Sequence, residues 1–237
     1  MTWSIVARDA ESGAFAVAVT SKFFAVGALC PYAQSGVGAL ATQALVNPTY
    51  GPQGLRLLAE GRPAAHVLEL LLAADEGREA RQVQLIDRAG RIAAHTGRDC
   101  VGWCGHVVGE DFAVAGNMLA GPAVVAATAD AFRSAAGRPL AERLLAGLDA
   151  GQAQGGDKRG KQSAALLVYR GEDYPYLDLR VDDHAEPLIE LARLYRESRR
   201  VFLPFLDFLP SRANPAGIHD RAVIDAALAR TRDAPAE

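Results

Sequence analysis

Thr2 is the position where one residue can hold a complete hydrolytic pair. Removing Met1 from in front of it leaves a threonine with a hydroxyl nucleophile and an α-amine on the same residue. An α-amine has an unperturbed pKa of about 7.7–8.0, so near neutral pH a useful fraction is free base and can take the hydroxyl proton. A Met-Thr start is common and by itself means only a start site, and a retained Met1 blocks this chemistry. In favour of the chemistry, Thr2 opens a β-type run, which would hold it on a rigid element.

A second group is the run Gly155-Gly156-Asp157-Lys158-Arg159-Gly160-Lys161-Gln162-Ser163, which leads into an apolar strand. Its glycines allow backbone N–H groups to converge on an anion, and Asp157, Arg159, Gln162 and Ser163 add donors and acceptors suited to binding a substrate. Ordinary turn chemistry between a helix and a strand reads the same way. Asn117, behind Gly116 at a strand end, is a candidate oxyanion donor, or an amide that satisfies loop backbone. His95, Cys100, Cys104 and His106 are residue types that zinc takes, but H-x4-C-x3-C-x-H matches none of the usual structural zinc spacings, and no metal is expected. Cys30, between Leu29 and Pro31, has no neighbouring cation to stabilise a thiolate, so it is not expected to be a nucleophile.

The elements that must position these groups alternate between β and α in blocks. Residues 3–8 and 14–20 are short β-type runs around a turn-rich linker, a hairpin whose second strand is apolar on both faces. A further strand is expected within 36–42, after an interruption at Pro31. Helical spacing follows from Pro52 and again from Pro63, the latter with Val67, Leu68, Leu71 and Leu72 on one face. Residues 82–87 and 91–95 read as a second hairpin and 112–115 as a strand. Helices are expected over 122–135 and 139–150, strands over 163–169 and 176–181, and a helix from Pro187. Hairpins followed by helix pairs, twice over, argue for two largely antiparallel sheets with helical layers, an α+β fold without strict βαβ alternation. The strands at 2–8 and 14–20 are expected at the centre, with the 52–74 and 122–150 helices on opposite outer layers. No G-x-G-x-x-G or P-loop pattern follows any strand, so no nucleotide cofactor is expected.

Composition limits the partners. The chain has 237 residues, 50% hydrophobic and 22% charged, with 25 Lys+Arg against 28 Asp+Glu. That balance suits an ordinary globular core and argues against nucleic acid or an anionic membrane as the main partner. No apolar stretch nears the ~18 residues of a membrane span. A charged N-terminus without a leader pattern and three sparse cysteines point to a reducing, cytoplasmic setting. Lysine occurs only at positions 22, 158 and 161. From about residue 199 the chain turns to a Pro-bounded aromatic stretch, 201–210, and a weak helix over 218–230. We read 1–198 as the main domain and 199–237 as an extension that packs on it or on a second copy in a homodimer or higher homo-oligomer.

The chain resembles the DUF1028 family, which is grouped with the Ntn (N-terminal nucleophile) hydrolase-like folds. The resemblance spans roughly residues 2–198. It runs through Ser4-Ile5-Val6-Ala7, Ala25-Val26-Gly27, Ala41-Thr42-Gln43, Tyr50-Gly51-Pro52-Gln53-Gly54-Leu55, Arg81-Gln82, Gly116-Asn117-Met118-Leu119, the loop and strand from Gly155 to Val168, and Arg180-Val181-Asp182-Asp183-His184. It implies a four-layer αββα sandwich. It also implies Thr2 as nucleophile, with a lysine from an early strand beside it; strand order makes that Lys22, whose alternative reading is a surface lysine. Ser21 could instead orient the amine, and Gln43 and Tyr50 join the loop residues as substrate contacts. The expected activity is hydrolysis of a C–N amide or amidine-like bond in a small molecule. The alternatives are an interior site around Asp157, Arg159 and Ser163 on the same fold, or a small-molecule-binding protein without turnover.

Overall fold

The computed structural model describes residues 2–232, the side chains of 231 and 232 excepted. Strands β1 (Thr2–Arg8) and β2 (Phe15–Ser21) form the expected hairpin and lie in the middle of a six-stranded sheet of order β10-β9-β2-β1-β8-β7. Its other members are β7 (Trp103–Gly109), β8 (Phe112–Leu119), β9 (Ser163–Tyr169) and β10 (Pro175–Val181). A four-stranded sheet holds β3 (Pro31–Gln34), β4 (Gly38–Ala44), β5 (Arg81–Asp87) and β6 (Ile92–Thr96) in sequence order. Every pairing is antiparallel.

Two strands depart from the sequence reading. Pro31 opens β3 instead of breaking the chain, which is possible because β3 is an edge strand and position one of a strand needs no ladder N–H. β7 is also an edge, and Gly105, Gly109 and the exposed His106 dilute the alternation that would have marked it.

Three apolar layers hold the sheets and helices together. Helices α1 (Tyr50–Ala59) and α2 (Ala64–Ala73) cover the four-stranded sheet through Leu58, Val67, Leu71, Leu40, Val83 and Leu85. A Cβ at Gly54 would come within 2.8 Å of Leu40 Cδ1, and one at Gly51 would collide with the Tyr32 ring, so glycine lets α1 lie close to the sheet. On the opposite side α3 (Pro122–Ser134), α4 (Leu140–Ala153) and α5 (Pro187–Arg200) cover the six-stranded sheet, packing Val124, Phe132, Leu144, Leu148 and Leu191 on Trp3, Ile5 and Leu166. Between the sheets lie Val6, Phe15, Val17, Val19, Ala39, Ala41 and Ile86. The result is a four-layer αββα sandwich.

The aromatic stretch after α5 becomes the short helix α6 (Phe202–Leu206), with Leu203 against the main core and Phe202 and Phe205 exposed; α7 (Arg221–Arg232) follows. The loop between β9 and β10 ties the segment down: Tyr174 Oη donates to Pro210 O at 3.0 Å, and Arg212 pairs with Asp173 at 2.6 Å. Among the described residues, no helix is long and apolar enough to cross a membrane.

Candidate active site

The space between the two sheets changes character along its length. On β1 the inward positions are Thr2, Ser4 and Val6, so that two polar residues precede the apolar one, and β5 presents Gln82 and Gln84 before Ile86. Gln43 on β4 and Asn117 on β8 complete a polar end where all six polar side chains are buried. Burying amides and hydroxyls is costly unless each is paired, so this end must be a network.

The pairing is dense and centres on Thr2. Gln43 Nε2 donates to Gln82 Oε1 at 2.8 Å, to Ala115 O at 3.1 Å and to the Thr2 carbonyl at 3.4 Å. Asn117 Nδ2 donates to the same Thr2 carbonyl at 3.3 Å and to Gln82 Oε1 at 3.1 Å. Gln82 Nε2 in turn has Thr96 Oγ1 and Gly116 O at 2.9 Å and Gly105 O at 3.1 Å. Ser4 Oγ donates to Gln43 Oε1 at 2.7 Å and accepts from Gln84 Nε2 at 2.9 Å. Two neutral amides, Gln43 and Asn117, therefore grip the Thr2 carbonyl, Gln82 joins the two, and the Thr2 hydroxyl stays out of their network. That hydroxyl lies 3.0 Å from Ser21 Oγ, directly across the β1–β2 ladder where Thr2 and Ser21 are partners.

Thr2 is 7% exposed and lines a cavity of about 60 Å³ with Phe23, Val26, Leu29, Cys30, Thr42, Gln43, Ala44 and Val46. Its walls come from the loop after β2 and from the end of β4. The backbone there is strained: of the four non-glycine residues with positive φ among those described, Ala25, Ala44 and Met118 flank this end of the sandwich. Each such conformation costs about 1–3 kcal/mol, and such residues gather at functional sites. A larger open recess of about 760 Å³, lined by residues such as Arg170, Tyr176 and Arg199, lies where the C-terminal segment meets the domain. It is remote from the polar end, and Thr2 is not among its lining residues.

The other sequence candidates fall in different places. Lys22 is not where the resemblance puts it: its side chain is exposed, its ammonium donates to Lys161 O at 3.3 Å, and its backbone N–H donates to Asp157 at 2.9 Å. The reason is strand period, because Ser21 shares the face of Thr2 and the next residue leaves it. Asp157 is buried and spoken for: Oδ1 accepts from Arg159 N and Oδ2 from Lys22 N, and Arg159 Nη2 adds an ion pair at 3.2 Å. It pins the glycine-rich loop across the end of β1, bridging toward Leu119 on one side and Lys22 on the other. Ser163 is 0% exposed; its hydroxyl donates to Phe23 O at 2.5 Å and receives Val26 N at 3.2 Å, so it holds the cavity wall.

Gln162 donates to Asp183 at 3.1 Å on the exposed surface. Tyr50 is a core residue, with its hydroxyl donating to Asp75 at 2.7 Å, and burial beside that carboxylate pushes its pKa up. The Arg81 guanidinium, with Tyr50 and Asn47, holds the Asp75 carboxyl well below the usual carboxylate range. His95, Cys100 and Cys104 each meet a backbone carbonyl, at Arg78, Arg81 and Cys100, while His106 Nδ1 meets Thr96 Oγ1 at 2.9 Å. Among the described residues no His, Cys, Asp and Glu cluster is arranged to hold a metal ion. Gln82 and Gln84 escaped the sequence reading as site residues, because polar residues alternating along a strand read as its solvent face.

Cys30, on the cavity wall, is also buried, and desolvation pushes its thiol up to about 12. The unfolded chain gives up that proton at its ordinary 9.0, so the native state binds more protons between those values and stability falls as pH rises from about 9. We expect iodoacetamide at pH 8 to leave Cys30 unmodified in the native protein while labelling it after denaturation, read by peptide mass spectrometry. Rapid native labelling would mean an ionised thiol at the site.

One solved structure shares this architecture over nearly the whole chain. Protein SPO2555 from Silicibacter pomeroyi, described with the DUF1028 family model, superposes with a TM-score of 0.85 at 30% identity, over 93% of this chain and 96% of that one. Anbu (ancestral beta-subunit) from Yersinia bercovieri gives a TM-score of 0.42 at 12% identity, over 88% of this chain and 98% of that one. No curated protein matches the chain. The model of the family of unknown function DUF1028 matches residues 2–191. The chain belongs to the DUF1028 family.

Proposed function

We propose that this protein hydrolyses a C–N amide or amidine-like bond in a small molecule, with Thr2 as an N-terminal nucleophile once Met1 is gone. The observation that carries the reading is the separation of the Thr2 hydroxyl from that network: the Gln43 and Asn117 amides, linked by Gln82, hold its carbonyl while the hydroxyl faces Ser21 and a cavity. In the first step Oγ bonds to the carbonyl carbon and its proton passes to the α-amine. The C–N bond then breaks, and the leaving amine takes that proton. Water, deprotonated by the same amine, attacks the ester and releases the acid, which restores the Thr2 hydroxyl. Ser21, and not Lys22, is the polar side chain against the nucleophile, where it can orient the hydroxyl or the amine.

The base is an α-amine, so the pH profile is diagnostic. The kcat/KM of the processed protein should rise with pH through one ionisation near about 7.7–8.0, and acetylation of the α-amine should abolish turnover. Undiminished turnover after complete acetylation of Thr2 would overturn the reading. Saturable amide binding by processed wild type without any turnover would favour the non-catalytic binding role.

A further inference from the structure

The cavity beside Thr2 constrains the acyl half of any substrate that Thr2 attacks. It holds about 60 Å³, and a single water-sized group needs roughly 10–15 Å³, so only a few such groups fit. Its lining is apolar: Phe23, Val26, Leu29, Cys30, Ala44 and Val46 contribute no ionised group. The two polar members besides Thr2 are already occupied, Thr42 Oγ1 donating to Asn47 O at 3.3 Å and the Gln43 amide within the network around Thr2. Burial keeps the Cys30 thiol protonated, so it presents a neutral wall.

We propose that this cavity is an acyl pocket that admits unbranched aliphatic acyl groups of about two to four carbons, which makes the substrates amides of short-chain carboxylic acids. The inference rests on Thr2 as nucleophile and adds the identity of the group transferred to it. With the carbonyl carbon at Thr2 Oγ, the chain beyond it enters the pocket. The leaving amine departs past Phe23, which is 50% exposed, carrying the proton taken from Oγ through the α-amine. The short acyl group stays seated as the Thr2 ester until water releases it as the carboxylate. Leu29 sets the depth, since it lines the pocket from the half-buried loop after β2, outside the sheets, and can be shortened without opening the core.

The test is a chain-length series with processed protein and its Leu29→Ala variant: acetyl, butyryl, hexanoyl and phenylacetyl 4-nitroanilides for turnover, and the matching primary amides for binding by ligand-observed NMR. Wild type is expected to show kcat/KM at least 10-fold higher for butyryl than for hexanoyl or phenylacetyl, and Leu29→Ala to move the optimum to longer chains. Equal rates for butyryl and hexanoyl, or an unchanged profile in Leu29→Ala, would overturn the pocket while leaving Thr2 hydrolysis standing. Without turnover of any anilide, the binding series decides: preference for butyramide over hexanamide, reversed by Leu29→Ala, supports the pocket although the hydrolase reading fails. Absence of that preference overturns both.

Discussion

Thr2→Val should lower kcat at least 10³-fold in protein whose position 2 is confirmed as a free terminus, a loss of about 4 kcal/mol of transition-state stabilisation. Valine keeps the branched shape and suits a strand, so β1 retains its register against Ser21 and Asn117. What disappears is the attacking oxygen and one hydrogen bond to Ser21, the latter worth about 1 kcal/mol of stability. The variant should therefore fold, bind short amides nearly as well as wild type and fail to turn them over, since the missing group acts in the transition state. Thr2→Ser restores an oxygen and should recover part of the rate. Steady-state kinetics on the three proteins checks this, and a loss under 3-fold in Thr2→Val would exclude Thr2 as nucleophile.

The largest stability effect is expected at Gln82. Its amide joins five partners, accepting from Gln43 and Asn117 and donating toward Thr96, Gly105 and Gly116. Gln82→Leu strands several of these buried groups at about 1–3 kcal/mol each, so we expect a loss of roughly 3–5 kcal/mol and a fall in Tm of about 10 °C. Gln84→Leu supplies the contrast. Gln84 donates to Ser4 O and Oγ, but its Oε1 is buried with no hydrogen-bond partner among the described residues, so removing that amide also removes a penalty. Calorimetry should show Gln84→Leu as clearly the milder change. Equal Tm values for the two variants would deny that the network around Thr2 is a connected unit.

The sheets and helices were legible where one physical rule acted alone. The β1–β2 hairpin, the helices beginning at Pro122 and Pro187, and the strands expected over 163–169 and 176–181 follow from period and breakers. Edge strands were harder, because β3 and β7 need less apolar alternation and tolerate Pro31, Gly105 and His106. Within the site, Thr2 and Asn117 were each legible as residues at strand ends, and the structure pairs them directly. Gln82 and Gln84 were not, since alternating glutamines on a strand look like a solvent face until a second sheet is laid over them. Lys22 was singled out by strand order under the resemblance, but strand alternation turns it away from Thr2. Tyr50 entered on its motif, and its hydroxyl serves Asp75 beneath α1 instead.

The measurement that bears most directly on Thr2 is mass spectrometry of the N-terminal tryptic peptide from protein quenched during turnover of a butyryl amide. The expected peptide is 2–8, starting at Thr2 and carrying a butyryl ester on its hydroxyl in a fraction of molecules, with the ester absent in Thr2→Val. Full turnover by protein whose N-terminal peptide still begins at Met1, or an acyl group found on another residue, would contradict it.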